Sequence, residues 1–150
     1  HRPIFEAIAS GRFRLVGDGR LLHHISAVQD VVTALIACGR TPTAGGQTMN
    51  IGSEAVTLGT FVEAVAAASG TTIRRTPYLH HSGILARALF DRSPLLRRSL
   101  PSINSALTYH LKESAYALDA AEKWLGPLPR LPLDVAIAAT LASYGLMPRS

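Results

Sequence analysis

The sequence predicts an α/β fold in which short parallel or mixed strands are covered by helices. Two observations carry that prediction. Between Gly11 and Gly70, short apolar segments of strand length alternate with apolar residues at helical spacing, and strand–helix alternation favours a partly parallel sheet with helices laid over it. Capping residues and glycines punctuate the alternation where helices begin and end.

Residues 2–11 form the end of a helix, with Ile4, Phe5 and Ile8 on one side and Gly11 as its C-cap. Phe13–Val16 is a short strand ending at Gly17-Asp18-Gly19, a turn in which glycine supplies positive φ angles. Leu22–Ile25 is a second strand. Ser26 then caps a helix, with Gln29 closing a capping box. Val28, Val31, Val32, Leu35 and Ile36 fall at i, i+3, i+4, i+7 and i+8, one apolar stripe that runs until Gly39 ends the helix. After a Thr/Pro/Gly loop over 40–46, Gln47–Ile51 is a third strand that turns at Gly52. Thr57 caps the next helix, where Leu58, Phe61, Val62 and Val65 repeat the helical spacing before Gly70. Thr71–Pro77 is a candidate strand, Ile84–Phe90 a candidate helix and Pro94–Pro101 a loop. Asp119 with Glu122 makes a second capping-box-like start, for a short helix that ends at Leu125-Gly126. Residues 126–129 are an extended linker. Pro132 opens the last helix, with Leu133, Ile137, Leu141 and Tyr144 inward and Gly145 as its stop.

Composition narrows the class. The chain has 150 residues, 47% hydrophobic and 17% charged, the balance of one globular unit. No apolar run approaches the ~18 residues that a membrane span requires. Cys38 is the only cysteine, so no internal disulfide forms and a reducing, cytoplasmic compartment is expected. Its place on the apolar side of a helix predicts a buried thiol. The net charge is +5, carried by thirteen Arg and two Lys. These are scattered apart from Arg74-Arg75 and Arg97-Arg98, a pattern that fits a solvated or partner-facing surface better than nucleic acid. The first residues carry no initiator Met and start inside a helix, so a portion of a longer polypeptide is expected.

The chemical candidates are few. Tyr109 and Lys112 are spaced by three, whereas a Tyr–Lys acid/base pair on one helix face needs four. His23-His24 and His80-His81 are adjacent pairs whose side chains point to opposite faces of a strand, which disfavours a shared metal. Gly17-Asp18-Gly19 lacks the Lys-Ser/Thr and the helix start of a phosphate loop. Gly45-Gly46 precedes a strand, the reverse of the dinucleotide-binding order. No complete catalytic constellation is present, and no metal or cofactor site is predicted within the chain.

Gly11 through Gly19, His23-His24-Ile25-Ser26 and Val28-Gln29-Asp30-Val31-Val32 resemble the C-terminal half of extended short-chain dehydrogenases/reductases. That group comprises NAD(P)-dependent epimerases and dehydratases and enzymes similar to 3β-hydroxysteroid dehydrogenase. Met49-Asn50-Ile51-Gly52 with Val56-Thr57-Leu58 resembles their last Rossmann strand and the helix after it. Tyr116 through Leu125-Gly126 and Pro129 resembles their late Tyr-Asp…Lys-Ala…Leu-Gly-x-x-Pro segment.

The resemblance implies that residues 1–150 are the substrate-binding part of a Rossmann-like enzyme. NAD or NADP would then be held mainly by an N-terminal half or partner chain that also brings the catalytic Tyr-x-x-x-Lys. It implies substrate contacts from Arg20, His23 and His24, with Leu15 and Val16 as the adjacent wall. A small-molecule substrate and a homo-oligomer are compatible with it. Three positions depart from the family. His23 stands where an arginine grips a diphosphate, and Ala117 and Ala120 replace the late Asp and Lys. Imidazole lacks the guanidinium fork, so a less charged ketone or alcohol is expected, walled by Leu79, Ile84, Leu85 and Leu89 of the Tyr78–Phe90 stretch. The alternative is a non-catalytic binding or assembly module derived from the same family.

Overall fold

A computed structural model describes residues 2–16, 18–53, 55–76, 92–93 and 113–148. The elements are α1 (Arg2–Ala9), β1 (Arg14–Val16), β2 (Leu22–His24), α2 (Val28–Arg40), a 3-10 turn (Pro42–Ala44), β3 (Ala55–Thr57), α3 (Leu58–Ala68), β4 (Arg74–Thr76), α4 (Asp119–Leu125) and α5 (Leu133–Tyr144). The chain is α/β, as its alternation predicts. The candidate helix over 84–90, the loop over 94–101, Tyr109, Lys112, His80-His81 and the apolar residues of 78–90 lie outside the described residues.

The described strands form two pairs. β1 runs parallel to β4, with Arg14 opposite Arg74, Leu15 opposite Arg75 and Val16 opposite Thr76. β2 runs antiparallel to β3, and its other side meets Ser114: His24 N–H donates to the Ser114 carbonyl at 3.1 Å, and Ser114 N–H donates to Leu22 C=O at 2.9 Å. The late segment therefore docks on β2.

α3 is the centre of the core because LGTFVEAVAAA is apolar on several sides. Leu58, Phe61, Val62 and Val65 are buried there together with Phe5 and Ile8 of α1, Leu15 of β1, and Ile137 and Leu141 of α5. The Phe5 ring stands edge-on to Phe61 and to Tyr144, at 5.7 and 5.8 Å, and so ties α1 to both α3 and α5. The Thr57 cap is as predicted: its Oγ1 accepts from Thr60 N–H at 3.0 Å.

The turn after β1 is held by a close approach. Gly19 adopts φ +70°, and its carbonyl accepts from Gly59 N–H at 2.8 Å at the start of α3. A Cβ on Gly19 would lie 2.9 Å from Leu15 Cδ2 and 3.1 Å from the Gly59 backbone. Gly19→Ala combines positive-φ strain with that clash, so it is expected to cost more than about 1 kcal/mol in urea unfolding.

Four sequence expectations are corrected. Ser26 is not the cap of α2; Ala27 is, in extended conformation and without a side-chain bond, while Ser26 Oγ lies close to Gly52. Asp119 is the first residue of α4 and not its cap; its carboxylate favours the helix N-terminus by charge alone. Cys38 is only partly buried.

The fourth correction is that Gln47–Ile51 forms no ladder, and the strand of this region is Ala55–Thr57. An apolar extended segment becomes a strand only when neighbours offer backbone partners.

Candidate functional site

β2 places its two histidines on opposite faces. His23 is buried, with 3% of its surface exposed. Desolvation lowers its pKa below the usual 6.5, with the nearby Glu113 carboxylate acting weakly in the other direction. A depressed basic group binds fewer protons folded than unfolded. Stability is therefore complete above about pH 6.5 and falls as acid protonates the unfolded chain more readily. His23→Gln is expected to flatten the acid side of a stability–pH profile measured by thermal unfolding.

His24 lies on the other face, half-buried. Its Nδ1 accepts from Tyr116 N–H at 3.2 Å, and its ring stacks on the Tyr116 ring at 4.3 Å and 25°. That acceptor role fixes the neutral tautomer, with the proton on Nε2. Gly52 allows the stack to form beside it: a Cβ there would lie 3.2 Å from His24 Cδ2 and 3.4 Å from the Tyr116 hydroxyl. Asn50 Nδ2 donates to the Ala117 carbonyl at 3.3 Å, joining the 50–52 turn to the same segment. His24 thus supplies a neutral N–H donor beside a partly exposed phenol, suited to a carbonyl or hydroxyl oxygen.

Behind this cluster lies Asp30, buried on α2. Its Oδ1 accepts from Leu131 N–H at 2.9 Å, and Ser53 Oγ stands 3.4 Å from Oδ2 while donating to Ile25 C=O at 2.7 Å. Asp30 couples α2 to the linker that enters α5. A notch of about 20 Å³ between Asp30, Asn50, Gly52, Leu118 and Arg130 has room for little more than a water.

The other predicted site residues are placed differently. Leu15 is enclosed in the core, and Arg20 stands in solvent with 87% of its side chain exposed, beside Asp18 at 3.6 Å. Val16 is on β1, but its side chain lies outside the described residues. The fold brings His24 together with Tyr116, which the sequence did not single out as a site residue. A separation of 92 positions leaves no local signal for that contact.

The nicotinamide cofactor implied by the resemblance does not fit the described residues. Gly19 is packed against Leu15 and Gly59, where a phosphate has no room. Among the described residues, no group of three metal-ligating side chains comes together, and no helix is long and apolar enough to cross a membrane.

The chain resembles a solved structure described as a "putative epimerase from Burkholderia cenocepacia J2315", with a TM-score of 0.57 and 19% identity over 95% of this chain. It spans 39% of that protein's length. No protein-family model and no curated protein matches the sequence.

Proposed function

We propose that this chain is the substrate-binding portion of an NAD(P)-dependent enzyme of the extended short-chain dehydrogenase/reductase type. The reaction would be an epimerisation, a dehydration or a ketone/alcohol oxidoreduction. The nucleotide and the catalytic Tyr-x-x-x-Lys would come from a part outside residues 1–150. The observation that carries this reading is the apolar stripe of α2, which faces outward. Val28 is 75% exposed, Leu35 66%, Ile36 50%, Val32 46% and Val31 37%, whereas Asp30 and Ala34 point inward. A contiguous apolar helix face of this kind suits a packing partner.

Two further features agree. Among the described residues, Gln47–Ile51 finds none of the strand neighbours that its pattern calls for. A mixed cavity of about 330 Å³ opens beside Val28, lined by Phe5, Ile25, Phe61 and Leu133 together with Gln29 and Thr140. A nucleotide-binding sheet laid against α2 would cover the stripe and pair with 47–51. His24, with its fixed donor, would then meet the oxygen of an uncharged substrate, and the Tyr116 ring would form one wall.

Hydrogen exchange tests this arrangement. In residues 1–150 alone, amides of 48–51 are expected to exchange fast while those of α3 are protected. Joined to the nucleotide-binding part of a longer polypeptide, 48–51 should gain protection; an unchanged pattern would overturn the reading. Leu35→Glu in residues 1–150 should change stability by less than about 0.5 kcal/mol, as an exposed position does. Mixed with a separately produced nucleotide-binding part, the same variant should markedly weaken assembly, measured by sedimentation.

A further inference from the structure

We infer that Arg14 and Arg74 together form a binding site for a small phosphate-bearing anion, on the outward side of the β1–β4 pair. The two residues face each other in register on adjacent parallel strands, where backbones are ~4.8 Å apart. Both are exposed, while Leu15 between Arg14 and Val16 is fully buried, so the arginines stand on the side away from the core.

Like charges directly opposite on a sheet disfavour the pairing. The neighbouring Arg75 is neutralised by Glu63 of α3, but among the described residues neither Arg14 nor Arg74 has a carboxylate partner. An oxyanion bridging the two guanidinium groups removes the repulsion and receives paired N–H donors from both sides. A small anion suits this site better than a nucleic acid, because the described residues of the pair present two guanidinium groups and no aromatic side chain for base stacking.

This site is independent of the epimerase reading and needs no nucleotide cofactor, so its failure leaves that reading intact. The probe is inorganic pyrophosphate, titrated calorimetrically into the whole chain at physiological ionic strength. Arg14→Gln and Arg74→Gln are each expected to weaken binding about tenfold or more. Arg2→Gln, on α1 and paired with Glu6, should alter it less than about twofold. The thermal midpoint of the ligand-free Arg14→Gln/Arg74→Gln protein should equal or exceed that of the parent, since repulsion is relieved. Undiminished pyrophosphate affinity in that folded double variant would overturn the assignment, as would tighter binding of duplex DNA than of pyrophosphate.

Discussion

Phe61→Ala is expected to destabilise the chain by about 3–5 kcal/mol, the usual cost of emptying an aromatic site in a core. Phe61 sits at the centre of α3, 2% exposed, with the Phe5 ring edge-on to it. Its loss opens a cavity that Leu58, Val62 and Ile137 fill only in part, and it frees Phe5 from one of its two aromatic partners. Small domains are stable by about 5–15 kcal/mol, and a chain with an uncovered apolar helix face belongs near the lower end. The variant is therefore expected to be substantially unfolded at room temperature by circular dichroism. Phe61→Leu keeps most of the volume and should cost less than about 1.5 kcal/mol. A small loss in Phe61→Ala would show that α3 is not the hub on which α1 and α5 pack.

Asp30→Ala is the second large effect, at about 2–4 kcal/mol in urea unfolding. The carboxylate accepts a charge-assisted bond from Leu131 N–H in a buried setting. Removing it strands that donor away from water, which adds a desolvation cost to the lost bond. Asp30→Asn keeps an amide oxygen for Leu131 and should lose roughly half as much. Because the bond links α2 to the entry of α5, hydrogen exchange at Leu131 and at the start of α5 should speed up in Asp30→Ala. The core of α3 should exchange as before at low denaturant. Equal stability of the three proteins would remove Asp30 as the latch.

Local chemistry was legible in the sequence. The spacing of Leu58, Phe61, Val62 and Val65, the Thr57 hydroxyl and the glycines at 19, 126 and 145 each encode a conformation within a few residues. The corresponding helices and turns are where they were expected. What spans long separations was not legible. The segment Gln47–Ile51 has a strand-like pattern, but a strand exists by virtue of its neighbours, and the described residues supply none.

The α2 stripe shows the same limit in another form. Its periodicity marks an apolar face without saying which body covers it, and here Asp30 and Ala34 turn inward instead. Ser26 and Gln29 have capping-box spacing, yet the helix begins two residues after Ser26. At the candidate site, the adjacency of His23 and His24 correctly separates them to two faces. Only the fold shows that His23 goes inside and that His24 meets Tyr116.

Calorimetric titration of residues 1–150 with NADH and with NADPH tests most directly whether the chain borrows its nucleotide from elsewhere. No stoichiometric binding of either is expected, because Gly19 is packed against Leu15 and Gly59 and, among the described residues, no glycine-rich turn opens a helix as a dinucleotide loop does. One-to-one binding of either dinucleotide by these residues alone would contradict the division of labour proposed here.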